Sequence, residues 1–342
     1  MDVVPPFRRD LVVVGASAGG VEALRAVVAG LPADFPGTLL VTMHVAARAH
    51  SALARILDNA GQLPARTASH GAVIEPGTVY VAPPDRHLLT ESGCLVLSAG
   101  PTENGHRPAV NATFRSAALT GGSRVIGVVL SGVLDDGAAG LRAIVDQGGV
   151  AVVQDPADAL YSGMPENALS LVDNAYTARA AEIGAMLDKL VRMPVEQSGG
   201  RPPSDVLLLE DRIARAGVRA GALKPAERDI AAGYTCPDCQ GPLAEVDPVG
   251  RYRCRIGHAW SAEALLTAQD DEFRFALQKA LRALDEKATL AAKLAAQAGG
   301  RRPGGLAERY ASSAREAAAA AETLRRFLLR AAAGSEETAE GP

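Results

Sequence analysis

From Leu11 to about Val191, short aliphatic runs alternate with stretches in which apolar side chains recur every three or four positions. Residues 11–14, Leu-Val-Val-Val, form a continuous, largely β-branched run that predicts a strand buried on both faces. Val21, Leu24, Val27, Val28 and Leu31 then fall at helical steps. Residues 39–43 predict a second strand, 51–57 a helix, 125–130 the clearest core strand, 138–147 a helix, 150–153 a strand and 180–193 a last helix. Residues 79–82 and 94–97 read as shorter strands that pair antiparallel. Strands interleaved with helices predict an α/β fold, a doubly wound and mostly parallel sheet covered on both faces, over residues 10–193.

The periodicity then breaks. A Gly/Pro/Ser stretch at 197–204 predicts a linker, extended over 194–230 and carrying a short helix from about Val206. A cysteine-bearing module follows over 231–262. Residues 263–333 are rich in Ala, Leu, Glu, Lys and Arg and are split by a Gly/Arg/Pro breaker at 299–305, which predicts a helical hairpin. Residues 1–9 are read as an N-terminal tail and 334–342 as a disordered one.

Composition narrows this little. A chain of 342 residues is long for one core, and with aromatics at 4% its cores must be aliphatic. The formal net charge of −4 gives no footprint for nucleic acid. No apolar run reaches the ~18 residues that span a bilayer, and the N-terminus lacks a signal-peptide pattern. The expectation is a cytoplasmic protein without nucleic-acid partner or membrane insertion.

Chemistry enters at Gly15-Ala16-Ser17-Ala18-Gly19-Gly20, which leaves the first strand and opens a helix, the setting of a nucleophile elbow. Glycines on both sides of the serine permit a tight turn, and N–H groups at the helix start face the same space. The same turn also suits a phosphate cradle or a purely structural corner, although its G-x-x-x-G-G spacing is not that of a dinucleotide fingerprint. His44 ends the next strand, where a structural histidine is the commoner occurrence. Asp135 and Asp136 follow the core strand at 125–130 and enter a helix, where an N-cap is the plain reading. Three such residues at the exits of neighbouring parallel strands suit a nucleophile, a base and an orienting acid.

Residues from about Leu11 to Val191 resemble the catalytic domain of the chemotaxis protein-glutamate methylesterases (CheB type). The matching pieces are residues 14–20, Met43-His44, residues 77–84 with His87, Arg107-Pro108, residues 131–140 and Gly163-Met164-Pro165. The resemblance implies that Ser17 is the nucleophile, His44 the general base and acid, and Asp136, rather than Asp135, the orienting carboxylate. It implies an oxyanion hole from backbone N–H groups near Val133 and in the serine turn at Ala18. The implied reaction hydrolyses γ-glutamyl methyl esters of methylated chemoreceptors, often with deamidation of receptor glutamines, and needs no catalytic cofactor. Departures are Ala18 where Ser or Thr is usual, Val133-Leu134 where Met-Gly is usual, and Pro108-Ala109-Val110-Asn111 where Pro-Ser-Val-Asp is usual. Only about ten residues precede the first strand, so no receiver domain and no control by phosphorylation in cis is expected.

Cys236-x2-Cys239, fourteen residues, and Cys254-x3-His258 give two short-spaced ligand pairs suited to tetrahedral Zn²⁺. With its ligand shell filled, such an ion is structural, and the segment reads as a zinc ribbon. The alternative is reduced thiols packing a small core. Arg251, Arg253 and Arg255 raise nucleic-acid binding, which the mixed charge of the flanking helices disfavours. Docking of a signalling partner or dimerisation is expected of the helical hairpin. The competing function class is a non-catalytic scaffold that retains the esterase fold and binds through its C-terminal modules.

Overall fold

The computed structural model describes residues 8–48, 51–195, 201–216, 231–247, 250–299 and 305–337. Most of the expected N-terminal tail, much of the linker, most of the breaker and residues 338–342 lie outside these. In chain order the first part contains β1 (Leu11–Ala16), α1 (Gly20–Ala29), β2 (Thr38–Met43), α2 (Leu53–Asp58), β3 (Ala65–Thr67), β4 (Val79–Val81), β5 (His87–Glu91), β6 (Cys94–Ser98), α3 (Val110–Gly121), β7 (Val125–Val129), α4 (Ala138–Asp146), β8 (Val150–Gln154), α5 (Gly163–Leu171), β9 (Tyr176–Ala178) and α6 (Ala180–Arg192).

Seven strands form a sheet in the order β3-β4-β2-β1-β7-β8-β9, every neighbouring pair parallel. Alternation along β1 separates the two cores. Val12, Val14 and Ala16 face α1, α2 and α6, whereas Leu11 and Val13 face α3, α4 and α5. This is the doubly wound architecture that the run of strands and helices predicts. Residues 79–82 and 94–97 do not pair with each other. β4 joins the main sheet beside β2, and β6 instead forms an antiparallel hairpin with β5, Leu88 opposite Leu97. β5 carries only Leu88-Leu89 as a hydrophobic signal, which hides it in the sequence as the partner of β6. Cys94, which its apolar strand predicts to be an inert core residue, is only half-buried at the start of β6.

Part of the stretch read as linker is a docked helix, α7 (Asp205–Ala216). It packs on α3 and β6, with Ser98 Oγ donating to the Ala214 carbonyl and Arg215 to the Thr90 carbonyl at 2.9 Å. The cysteine segment folds as a four-stranded antiparallel sheet of β10 (Ala231–Thr235), β11 (Pro242–Asp247), β12 (Arg251–Cys254) and β13 (Ala259–Ser261). Through Leu265 it belongs to the same compact unit as the large sheet.

A buried ionic cluster ties α7, α3 and the small sheet together. Glu210 faces Arg251 at 2.9 Å, Arg253 at 3.3 Å and Arg115 at 3.4 Å, while Glu103 pairs with Arg115 and Arg253. Burial alone would raise the Glu210 carboxyl, but Arg115, Arg253 and Arg251 outweigh it and bring it down to about 2.

From Leu266 a second unit holds most of α8 (Ala262–Gly299) and α9 (Gly305–Glu337). Arg325 reaches Asp285 at 3.1 Å, Phe273 meets Phe327 edge-on, and the small side chains of Ala291, Ala317 and Ala321 are buried, as the expected hairpin requires. α9 continues through Glu337, so the first residues of the expected disordered tail are helical. Among the described residues no helix is long and apolar enough to cross a membrane.

Replacing Glu210 by Ala leaves Arg115, Arg251 and Arg253 without their shared carboxylate. This should cost roughly 3–5 kcal/mol of unfolding free energy, measurable by urea denaturation. A loss below about 1 kcal/mol, the range of an exposed pair, contradicts a buried role.

Candidate active site

Parallel register sets the site. Gly15 lies opposite Thr42 of β2 and Val129 of β7, so the residues leaving all three strands emerge at one carboxyl edge. Open α/β sheets bind ligands at such edges. Gly15 points to the α3 side, where a methyl group would strike the Val110 side chain. Gly19 turns the chain into α1 with φ +69°, and a side chain there would press on Ser131 and Leu160. The close approach of the β7 exit depends on Gly132, whose added Cβ would overlap Met164 Sδ and lie 2.9 Å from Ser17 Cβ.

Ser17 Oγ lies 3.0 Å from Nδ1 of His44, and Nε2 of the same ring lies 2.6 Å from Asp136 Oδ2. The side chains of His44 and Asp136 are only 8% and 3% exposed, so the pair is almost shut off from water. Asp136 also accepts from the N–H groups of Val110 at 2.7 Å and Asn111 at 2.9 Å, in the first turn of α3. Burial alone would raise this carboxyl; the His44 contact and the two N–H groups reverse that and hold it at about 2. A carboxylate at a helix N-terminus is favoured by the helix dipole as well. With Asp136 ionised, Nε2 carries the hydrogen and Nδ1 is free to accept from Ser17.

The serine turn is pinned by Ser17 N–H to the Ser131 carbonyl at 2.9 Å, and Ser131 Oγ donates to the Ala18 carbonyl at 2.8 Å. Gly132 N–H is taken by the Tyr161 carbonyl, whereas the N–H groups of Ala18 and Val133 donate to no acceptor among the described residues. Val133 is exposed, and Leu134 adopts φ +61°, a left-handed conformation that favours the glycine usual there in the methylesterases.

Sequence reasoning missed two participants. The segment Val110-Asn111, noted only as a departure from a motif, holds Asp136 through its backbone. His106 stacks on His44, ring centroids 3.8 Å apart and planes 9° from parallel. Its presenting turn was legible: Asn104-Gly105 is a dipeptide of tight hairpins, and both residues have positive φ, 50° and 75°. Burial, then the neighbouring His44, lowers His106 to about 4, so the stacked ring is neutral near pH 7.

Cys236, Cys239, Cys254 and His258 also converge, their ligand atoms all within 4.8 Å of one another. Cys239 and Cys254 sulfurs are 3.6 Å apart, and His258 Nδ1 is 3.5 Å from Cys254 Sγ and 3.7 Å from Cys236 Sγ. Ligands about 2.3 Å from a tetrahedral ion are spaced by similar distances. The four groups can hold a metal.

His106 and Asp135 pull stability in opposite directions on acidification. The His106 contribution is full above about pH 6.5 and is lost as pH falls toward about 4. Burial, and then the charges of Asp136 and Glu263, raise Asp135 to about 6 despite its bond from Ser261, so its contribution is present below about pH 3.8 and lost as pH rises through about 6. Replacing Asp135 by Asn removes the opposing contribution. Unfolding free energy should then climb more steeply with pH between 4 and 6 than in the wild type, and an equal or shallower slope in urea titrations contradicts the assignment.

Residues 12–187 match the family model described as CheB methylesterase. Protein-glutamate methylesterase/protein-glutamine glutaminase 2 of Anaeromyxobacter dehalogenans is 43% identical over 164 residues, 48% of this chain and 48% of the relative. The corresponding protein 1 of Geobacter metallireducens is 39% identical over 164 residues, 47% of this chain and 45% of the relative. The chain thus spans about half the length of these curated relatives. The crystal structure of the Thermotoga maritima CheB methylesterase catalytic domain is matched over 54% of this chain and 100% of that domain, with a TM-score of 0.52 and 31% identity. With the family model covering residues 12–187 of 342 and the serine, histidine and aspartate meeting at one sheet edge, the chain belongs to the CheB methylesterase family.

Proposed function

We propose that this chain is a serine hydrolase that removes methyl groups from γ-glutamyl methyl esters of chemoreceptor-like proteins and deamidates glutamines at equivalent positions. The observation that carries this reading is the continuous relay from Ser17 through His44 to Asp136, at 3.0 and 2.6 Å. His44 Nδ1 takes the Ser17 proton as Oγ attacks the ester carbonyl carbon. The N–H groups of Ala18 and Val133 receive the developing oxyanion. The tetrahedral intermediate collapses, the C–O bond breaks, and His44 returns the proton to the departing methanol. Water then attacks the acyl-serine with His44 again as base, releasing the glutamate carboxylate and Ser17. For a glutamine side chain the leaving group is ammonia. Asp136 stays ionised and stabilises the imidazolium.

The same reading assigns structural zinc to Cys236, Cys239, Cys254 and His258, where the ion would cross-link two turns and touch no reacting atom. A thiolate-rich site that must remain reduced suits the cytoplasm. The exposed Leu290 and Leu329 of the hairpin offer apolar surface to a signalling partner or a second copy.

Replacing Ser17 by Ala should lower kcat on a γ-glutamyl methyl-ester peptide by roughly 10⁴-fold or more. Asp136→Asn should lower it by about 10⁴-fold. Methanol release reads both, and Ser17→Ala turnover near wild type contradicts the nucleophile. Elemental analysis of the purified chain should give close to one zinc per molecule, and Cys239→Ser should lose most of it. A chain purified without metal, and unable to take it up, removes the zinc site.

A further inference from the structure

The small sheet does not hang free of the catalytic part; it grips the turn that presents His106. That turn runs Glu103-Asn104-Gly105-His106, closed by reciprocal backbone bonds between Glu103 and His106 of 3.1 and 2.9 Å. On its outer side β13 lies alongside. Ala259 N–H donates to the Thr102 carbonyl at 3.1 Å, and Asn104 N–H donates to the Ala259 carbonyl at 2.8 Å. Ser261 N–H donates to Asn104 Oδ1 at 2.9 Å. Trp260 lies against Gly105, where an added Cβ would be 3.4 Å from its ring.

The second grip is on the triad's own acidic turn. Ser261 Oγ donates to Asp135 Oδ1 at 2.8 Å, and Asn104 Nδ2 reaches the same oxygen at 3.3 Å. Asp135 immediately precedes Asp136. The third grip comes from the ligand turns. Thr102 Oγ1 donates to Asp238 Oδ2 at 2.7 Å, and Asp238 stands between Cys236 and Cys239. Gly257, next to His258, has φ +105° and packs so closely on Pro101 that a Cβ would come within 2.9 Å of it. Arg253, next to Cys254, donates to the Gly257 carbonyl at 2.6 Å and enters the Glu103 and Glu210 cluster.

We infer that the Cys3His module is a metal-dependent clamp on the catalytic machinery: with its four ligands drawn together it seats β13 on the 102–106 turn and on Asp135, and so fixes the ring of His106 against His44. This rests on the serine-hydrolase reading and adds the element that controls it. A four-stranded sheet of short strands buries little apolar surface, so its order depends on the cross-link between its turns. Release of the metal frees β13, and with it the backbone bonds that brace the His106 turn. Asn104 and Ser261 act as positioning residues; neither touches Ser17.

The chain provides its own reporter, because Trp260 is its single tryptophan, sits at the seat and is 6% exposed. p-Nitrophenyl acetate serves as the substrate probe, which avoids the need for a receptor. Chelation of the zinc-loaded chain should red-shift Trp260 emission and lower kcat at least tenfold with little change in KM, and Zn²⁺ should restore both. The double substitution Asn104→Ala with Ser261→Ala should retain one zinc per chain, lower kcat by a similar factor, and respond little to chelation. Ser261→Thr, which keeps the hydroxyl, should retain most of the rate that Ser261→Ala loses. If metal-free protein loses its far-UV signal, the zinc-bound double variant carries the test alone. Red-shifted Trp260 emission with kcat within twofold of wild type overturns the clamp, as does failure to bind zinc. A zinc-loaded wild type inert toward the probe and toward a γ-glutamyl methyl ester refutes the hydrolase reading instead.

Discussion

A carboxylate almost wholly removed from water must find donors for its oxygens or give up its charge. Asp136 finds them in His44 and in the first two N–H groups of α3, and it stays ionised because those donors together outweigh its burial. The rest of the site is arranged around that anchored charge. The pairing of β2 and β7 on either side of β1 brings the imidazole and the acidic turn to the serine, while α3 supplies backbone donors from the opposite core. Small residues permit the approach: Gly15 admits Val110, and Gly132 admits Ser17 and Met164.

Much of this was legible along the chain. Strands made of continuous valine and leucine, each followed by helical spacing, announce a parallel sheet, and the residues at strand exits then fall on one edge whatever their identity. Most of what escaped depends on contacts distant in sequence. The docking of α7, a helix expected from about Val206, was hidden because its partners, Ser98 and Thr90, lie more than a hundred positions away. β5 and β6, by contrast, are joined by the two-residue turn Ser92-Gly93, a local hairpin signal that the short apolar runs mask. The Glu210 cluster is equally invisible, since each arginine taken alone reads as a solvated surface charge. In the site itself, a backbone N–H has no sequence signature, so the grip of Val110 and Asn111 on Asp136 left only the Arg107-Pro108 landmark nearby.

Two departures from the methylesterase pattern take on physical meaning. Leu134 occupies a left-handed position where glycine is usual, so this chain keeps the backbone path at some conformational cost. Asn111 replaces an acid yet preserves its N–H bond to Asp136, and its side-chain oxygen accepts from Gly140 N–H at 2.7 Å, linking α3 to α4. The change therefore leaves the support of Asp136 in place while removing a negative charge beside it.

The cysteine module, the buried ionic cluster and the Ser17, His44 and Asp136 side chains belong to one compact body, the first unit. The most direct measurement is covalent: treat the native chain with a fluorophosphonate and map the adduct by peptide mass spectrometry. A single phosphonyl group on Ser17, lost when the chain is unfolded before labelling, is the expected result. A folded chain that remains unlabelled, or that carries the adduct on another residue, contradicts a nucleophilic Ser17.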